Sequence, residues 1–161
     1  DVACGGGRHT RLFVERGCTV VAVDREPRVD PDLQAHSRVD LRVADLEQGP
    51  WPLAGERFDA VVVTNYLHRP LFPHLLAALA PGAVLLYETF AAGNAAFGKP
   101  GNPAFLLAPR ELLDAFATLR VIAFEDGYAE SPRPAMVQRI AARRPAADGA
   151  SRPESVALRP A

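Results

Sequence analysis

Apolar residues recur along this chain with two alternating periods, and the alternation predicts strands and helices in turn. Asp1 to Cys4 is a short apolar piece carrying an acid. It runs into Gly5-Gly6-Gly7, and Leu12, Phe13 and Arg16 then follow at helical spacing before Gly17, which reads as strand, tight turn, helix. Thr19 to Val23 is a β-branched run ending at Asp24, short and apolar enough for a strand buried on both faces. Asp30-Pro31 supplies an N-cap and a first-turn proline for a short helix through Leu33 to His36. Val39, Leu41 and Val43 alternate with Asp40 and Arg42, the pattern of an edge strand with one wet face.

The second half continues the pattern. Gly49 to Pro52 reads as a loop, and Phe58 to Asn65 as a buried strand with the polar pair Thr64-Asn65 at its carboxyl end. Phe72, Leu75, Leu76 and Leu79 give a helix one apolar face, and Pro81-Gly82 ends it. Ala83 to Tyr87 is the next strand. From Glu88 to Leu107 runs a Gly/Pro/Asn/Ala-rich connection of a length that is usually functional, a natural lid. Pro109 to Phe116 reads as a helix. Leu119 to Glu125 and Ala135 to Ala142 read as strands joined too briefly for a parallel crossover, hence as an antiparallel pair. Periodicity is lost from Pro145, so a folded domain over residues 1–144 and a disordered tail over 145–161 are expected.

Strands alternating with helices predict an α/β fold: a Rossmann-like, doubly wound, mostly parallel sheet with helices on both faces and a C-terminal antiparallel β-hairpin. Ligands in such sheets bind at the carboxyl ends of the strands. Here those ends are Ala3 to Gly7, Asp24, Asp45, Asn65 and Glu88.

Composition narrows the picture further. A chain of 161 residues is one domain's worth, so one site must suffice. A net charge of −1 provides no field for sequence-independent binding to nucleic acid, which argues against such a partner. The longest apolar region, Leu75 to Tyr87, is interrupted by Pro81-Gly82, so no membrane span or signal segment is expected. Cys4 and Cys18 have neither metal-ligand spacing nor the company for a disulfide framework. A reducing, cytoplasmic setting without a metal centre is the expectation.

The strand-end residues resemble the class I S-adenosylmethionine-dependent methyltransferases, in particular bacterial small-molecule enzymes similar to the tellurite-resistance and thiopurine methyltransferases. The family pattern is an acid on the first strand followed by glycines at alternate positions. Asp1, Ala3, Gly5 and Gly7 match it, with alanine in place of the first glycine, and Arg8-His9-Thr10 is common in the bacterial members. The resemblance implies that Asp24 binds the cofactor's ribose hydroxyls and that Asp45 accepts from its adenine amine. Leu46 would meet the adenine ring through its N–H, and Asn65 would lie beside the methionine portion. It implies S-adenosyl-L-methionine as cofactor, S-adenosyl-L-homocysteine as product and a small-molecule acceptor. The family also has a helix before the first strand that this sequence does not contain, so the domain is expected to be N-terminally truncated.

Methyl transfer from a sulfonium is an in-line displacement in which positioning carries much of the rate and a base is optional. Asn65, Tyr66 and His68 are the catalytic candidates at the mouth of the site. His68 has the titration range to take a proton, or it flanks the next helix. Tyr66 shapes the acceptor pocket or packs under the loop. Glu88 is placed to orient an amine or hydroxyl or to tie down the lid, Arg133 to bind an anion or stand in solvent, and Phe97 and Phe105 to line the lid. Two other readings stay open: a non-catalytic S-adenosylmethionine-binding or partner-stabilising domain, and a nicotinamide-nucleotide-binding protein. Against the latter, Thr10 stands where the dinucleotide pattern wants a third glycine. Neither the acceptor nor the oligomeric state is legible at this level.

Overall fold

A computed structural model describes residues 1–146; the expected tail lies outside the described residues from position 147 onward. The elements are α1 (Arg8–Glu15), β1 (Val20–Asp24), α2 (Pro31–Gln34), β2 (Val39–Val43), β3 (Phe58–Thr64), α3 (Phe72–Ala78), β4 (Leu79–Phe90), α4 (Glu111–Ala115), β5 (Arg120–Ala129) and β6 (Ala135–Arg143). β1 pairs in parallel with β2, and β3 in parallel with β4. β4 and β5 pair antiparallel with β6, so the closing hairpin forms as expected.

The expected first strand is reduced to one residue. Val2 bridges in parallel to Val23 on one side and Val63 on the other, joining the β1-β2 pair to the β3-β4-β6-β5 group. Extended backbone stops at once because Ala3 turns left-handed, with φ 56°, followed by Gly5 at 54° and Gly7 at 74°. The spatial order is therefore β2, β1, Val2, β3, β4, β6, β5.

Helices lie on both faces of this sheet. Val61, Val63, Leu85, Tyr87 and Ile140 point to the face that α3 and α4 cover with Leu75, Leu112 and Phe116. Phe72, Tyr87 and Phe116 form an aromatic cluster there with centroids 5.3 to 6.0 Å apart. Val62 and Thr64 point to the opposite face, where α1 lies against β3 through His9. Val14 of α1, Leu33 of α2 and Val20 of β1 make a smaller core beside it.

Two elements depart from the apolar spacing. α3 ends at Ala78, and β4 starts at Leu79 and runs through Pro81-Gly82. Leu79 is extended at ψ 127°, and the residue before a proline is driven out of helical backbone, so Ala80 cannot prolong α3. The connection expected to act as a lid is fastened down instead. Asn94, buried at 2% exposure, donates to Pro100 O at 2.9 Å and accepts from Met136 N–H at 3.1 Å. Arg69 donates to Ala104 O and Leu106 O at 2.9 Å each while forming a two-pronged ion pair with Glu111. Fully buried Gln138 donates to Ala108 O at 2.6 Å and accepts from Leu112 N–H at 3.2 Å. Among the described residues, no helix is long and apolar enough to cross a membrane.

Candidate functional site

A cleft of about 420 Å³ opens at the carboxyl ends of the Val2 segment, β1, β2 and β3. The turn after Val2 forms its floor. A Cβ on Gly5 would meet nothing within 4 Å, so the backbone there is open to the cleft. Gly7 is different: a Cβ would come within 3.1 Å of both Leu33 and Val29, so glycine is required there for α1 to seat. The Asp1 carboxylate turns away from the cleft and accepts from Thr10 N–H at 3.0 Å and Thr10 hydroxyl at 2.7 Å, holding the first turn of α1. Burial, with the charge of Asp24, pushes the Cys4 thiol up to about 11, which leaves it unreactive at neutral pH.

Asp24 ends β1 and ties the turn in place. Its two oxygens accept from Gly5 N–H and Glu26 N–H, each at 2.9 Å. Asp45, just past β2, accepts from Glu47 N–H at 2.9 Å and Gln48 N–H at 3.2 Å through one oxygen, and its other oxygen lies 3.8 Å from Arg25. An ionised carboxylate offers about four acceptor positions, so each acid keeps roughly two for a ligand. The N–H groups of Gly6 and Leu46 have no partner among the described residues. The cleft thus fits a ligand with donor groups along one part and acceptors for N–H groups at each end.

Tyr66 also lines the cleft, its hydroxyl 3.5 Å from Glu47. Burial and then Glu47 hold the phenol well above its ordinary range, so it serves as a neutral donor and wall. The other catalytic candidates stand apart. Asn65 is exposed, left-handed at φ 54°, and its N–H donates to Glu88 O at 2.9 Å. His68 precedes a short 3₁₀ turn, accepting from Leu71 N–H at 3.0 Å through its carbonyl. Neither lines the cleft, nor do Asp1 and Gly7; Ala3, Gly5, Asp24, Asp45 and Leu46 all do.

Further along, Glu88 accepts from Arg139, the Arg133 guanidinium sits 5.4 Å from the Phe90 ring centre, and Phe97 packs on Tyr128 at 5.1 Å. Phe105 is half exposed. Sequence reading missed Glu26, Arg28 and Glu47, which also line the cleft. Their signal was position alone, since each follows a strand-end acid by two to four residues. Four acids against two arginines leave the cleft negative, which favours a cationic ligand.

A family model described as a methyltransferase domain matches residues 1–80. The chain is 34% identical over 98 residues to a malonyl-[acyl-carrier protein] O-methyltransferase from Serratia marcescens, a match covering 58% of this chain and 38% of that enzyme. It therefore spans well under half the length of that curated relative. Among solved structures, an S-adenosylmethionine-dependent methyltransferase from Methanosarcina mazei superposes with a TM-score of 0.68 at 14% identity, covering 91% of both chains. The N-methyltransferase NodS from Bradyrhizobium japonicum, solved with S-adenosyl-L-homocysteine, superposes with a TM-score of 0.66 at 19% identity, covering 89% of this chain and 76% of NodS. At these identities the structural likeness establishes the fold.

Proposed function

From its membership of the class I S-adenosylmethionine-dependent methyltransferase family, we propose that this chain binds S-adenosyl-L-methionine in the cleft between Gly5 and Tyr66 and methylates a small-molecule acceptor. The observation that carries this reading is the pair of acids Asp24 and Asp45 at the ends of adjacent strands, each with acceptor positions to spare beside unpartnered N–H groups. Asp24 holds the ribose hydroxyls, Asp45 the adenine amine, and Leu46 N–H the ring. The unpartnered Gly6 N–H of the turn takes the cofactor's carboxylate. When bound, the cofactor supplies a methyl group on a positively charged sulfur, with S-adenosyl-L-homocysteine as leaving product.

The residues of the chain contribute position and electrostatics. The acids of the cleft stabilise the positive charge of the bound cofactor before transfer. Tyr66 walls the site with a neutral hydroxyl. Proximity and alignment of this kind account for a large part of the barrier lowering in displacement reactions. A panel of thiols, amines, phenols and carboxylates incubated with methyl-labelled cofactor tests the activity. Label transfer to a member of the panel supports methyl transfer; tight cofactor binding with no transfer to any class favours a non-catalytic binding domain.

A further inference from the structure

A polar row crosses the sheet beyond the cofactor cleft. Thr64, Glu88, Arg139 and Glu125 stand directly opposite one another on β3, β4, β6 and β5. Residues in register share a face, and this face carries α1, whose His9 Nδ1 lies 3.2 Å from Thr64 Oγ1. Arg139 Nε donates to Glu88 Oε2 at 2.5 Å, and Arg139 Nη1 donates to Glu125 at 2.9 Å. His9 Nε2 and Glu88 Oε1 have no hydrogen-bond partner among the described residues.

The order of the sheet places this row. Asp45 ends β2, Asp24 ends β1, and the glycine turn leads from Val2 toward β3 and β4. A cofactor held with its amine at Asp45 and its hydroxyls at Asp24 would have β3 and β4 on the far side of the turn from those acids. There the part-buried side chains with chemistry are His9, Thr64 and Glu88. His9 follows Gly7 by two residues, so the turn that holds the cofactor also fixes the imidazole.

We propose that His9 is the base that takes the acceptor's proton, with Thr64 as the positioning residue that accepts from Nδ1–H and leaves the Nε2 lone pair free. The acceptor is then a nucleophile bearing an O–H or N–H, oriented by Glu88. This assignment rests on the methyltransferase reading above. The nucleophile's lone pair forms the bond to the methyl carbon as the carbon–sulfur bond breaks and leaves its electron pair on sulfur. The nucleophile's proton passes to His9 Nε2 and is released to water.

The charges around the ring agree. Burial, then Arg8 on the same helix, hold the His9 imidazole below its ordinary value of 6.5; Glu88 of β4 opposes this and the amino group of Asp1 adds to it. The ring is therefore neutral at neutral pH, as a proton acceptor must be.

Long-range proton–nitrogen NMR of the histidine rings in the 161-residue chain, from pH 5 to 8, tests the assignment. His36 is an internal standard, because its Nδ1 accepts from Arg38 N–H at 3.1 Å and its neutral ring must carry the proton on Nε2. His9 is expected to show the opposite tautomer, to lose it in Thr64→Val, and to shift on addition of S-adenosyl-L-homocysteine while His36 stays. With an acceptor from the panel, His9→Gln should lower kcat by roughly 10²- to 10⁴-fold with little change in KM. An Nε2-protonated His9 ring, a ring unmoved when calorimetry shows the product bound, or an unchanged kcat overturns the role of His9. Absence of any binding of the product overturns the methyltransferase reading instead, and the ring tautomer is read without ligand in either case.

Discussion

Ala3 holds a left-handed backbone at φ 56°, a conformation that costs an ordinary L residue about 1–2 kcal/mol. Ala3→Gly removes that strain at the cost of a more flexible unfolded chain, so a net gain of about 0.5–1 kcal/mol in urea unfolding is expected. Gly7→Ala should do the reverse by about 2 kcal/mol or more, because φ is 74° and the added methyl would press on Leu33 and Val29 at 3.1 Å. His9 makes a prediction in pH. Its pKa is lowered on folding, so the unfolded chain binds its proton first as pH falls. Its contribution to stability is complete above 6.5 and declines as pH falls below that value, and thermal unfolding of His9→Gln should show a flatter dependence between pH 5 and 7. At this scale the strand-end acids were legible, because a strand's period fixes where it ends and which residue comes next. The directions of Asn65 and His68 were not: the left-handed φ of Asn65 reorients the loop, and apolar spacing carries no trace of that turn.

The elements show where local pattern yields to longer contacts. Apolar spacing continued α3 to Leu79, whereas the backbone turns extended there because Ala80 precedes proline and Leu79 finds a ladder partner in Phe58. The long connection after β4 read as a lid by its length and composition. What the composition concealed was the partners: Asn94, Gln138 and Arg69 each satisfy backbone groups far away in the chain. Asn94→Ala leaves Met136 N–H and Pro100 O without their partner in a part-buried setting and should cost about 1–3 kcal/mol. Hydrogen exchange should then speed up at Leu106 and Leu107 relative to β3, and equal exchange in the variant and the parent would show that the segment is held by something else. The closing hairpin was legible because the nine residues between the expected strands, 126–134, are too few for a parallel crossover.

Over the whole molecule, the sheet order β2, β1, Val2, β3, β4, β6, β5 sets one line of chemistry along the carboxyl ends of the strands. The cleft acids Asp24 and Asp45 stand on the β2 and β1 side, and the polar row with His9 on the β3 and β4 side. Among the described residues, the two halves are joined in the ladder at Val2 alone, next to the turn that lines the cleft, so a ligand bound there is expected to stabilise the whole sheet. The most direct measurement of the central claim is calorimetric titration of S-adenosyl-L-homocysteine and, separately, NADH into the 161-residue chain and its Asp24→Asn variant. The account predicts saturable binding of S-adenosyl-L-homocysteine, weakened about 10- to 100-fold by the substitution as charged hydrogen bonds are lost, and no binding of NADH. Binding of NADH alone, or S-adenosyl-L-homocysteine binding that is indifferent to Asp24, would contradict it.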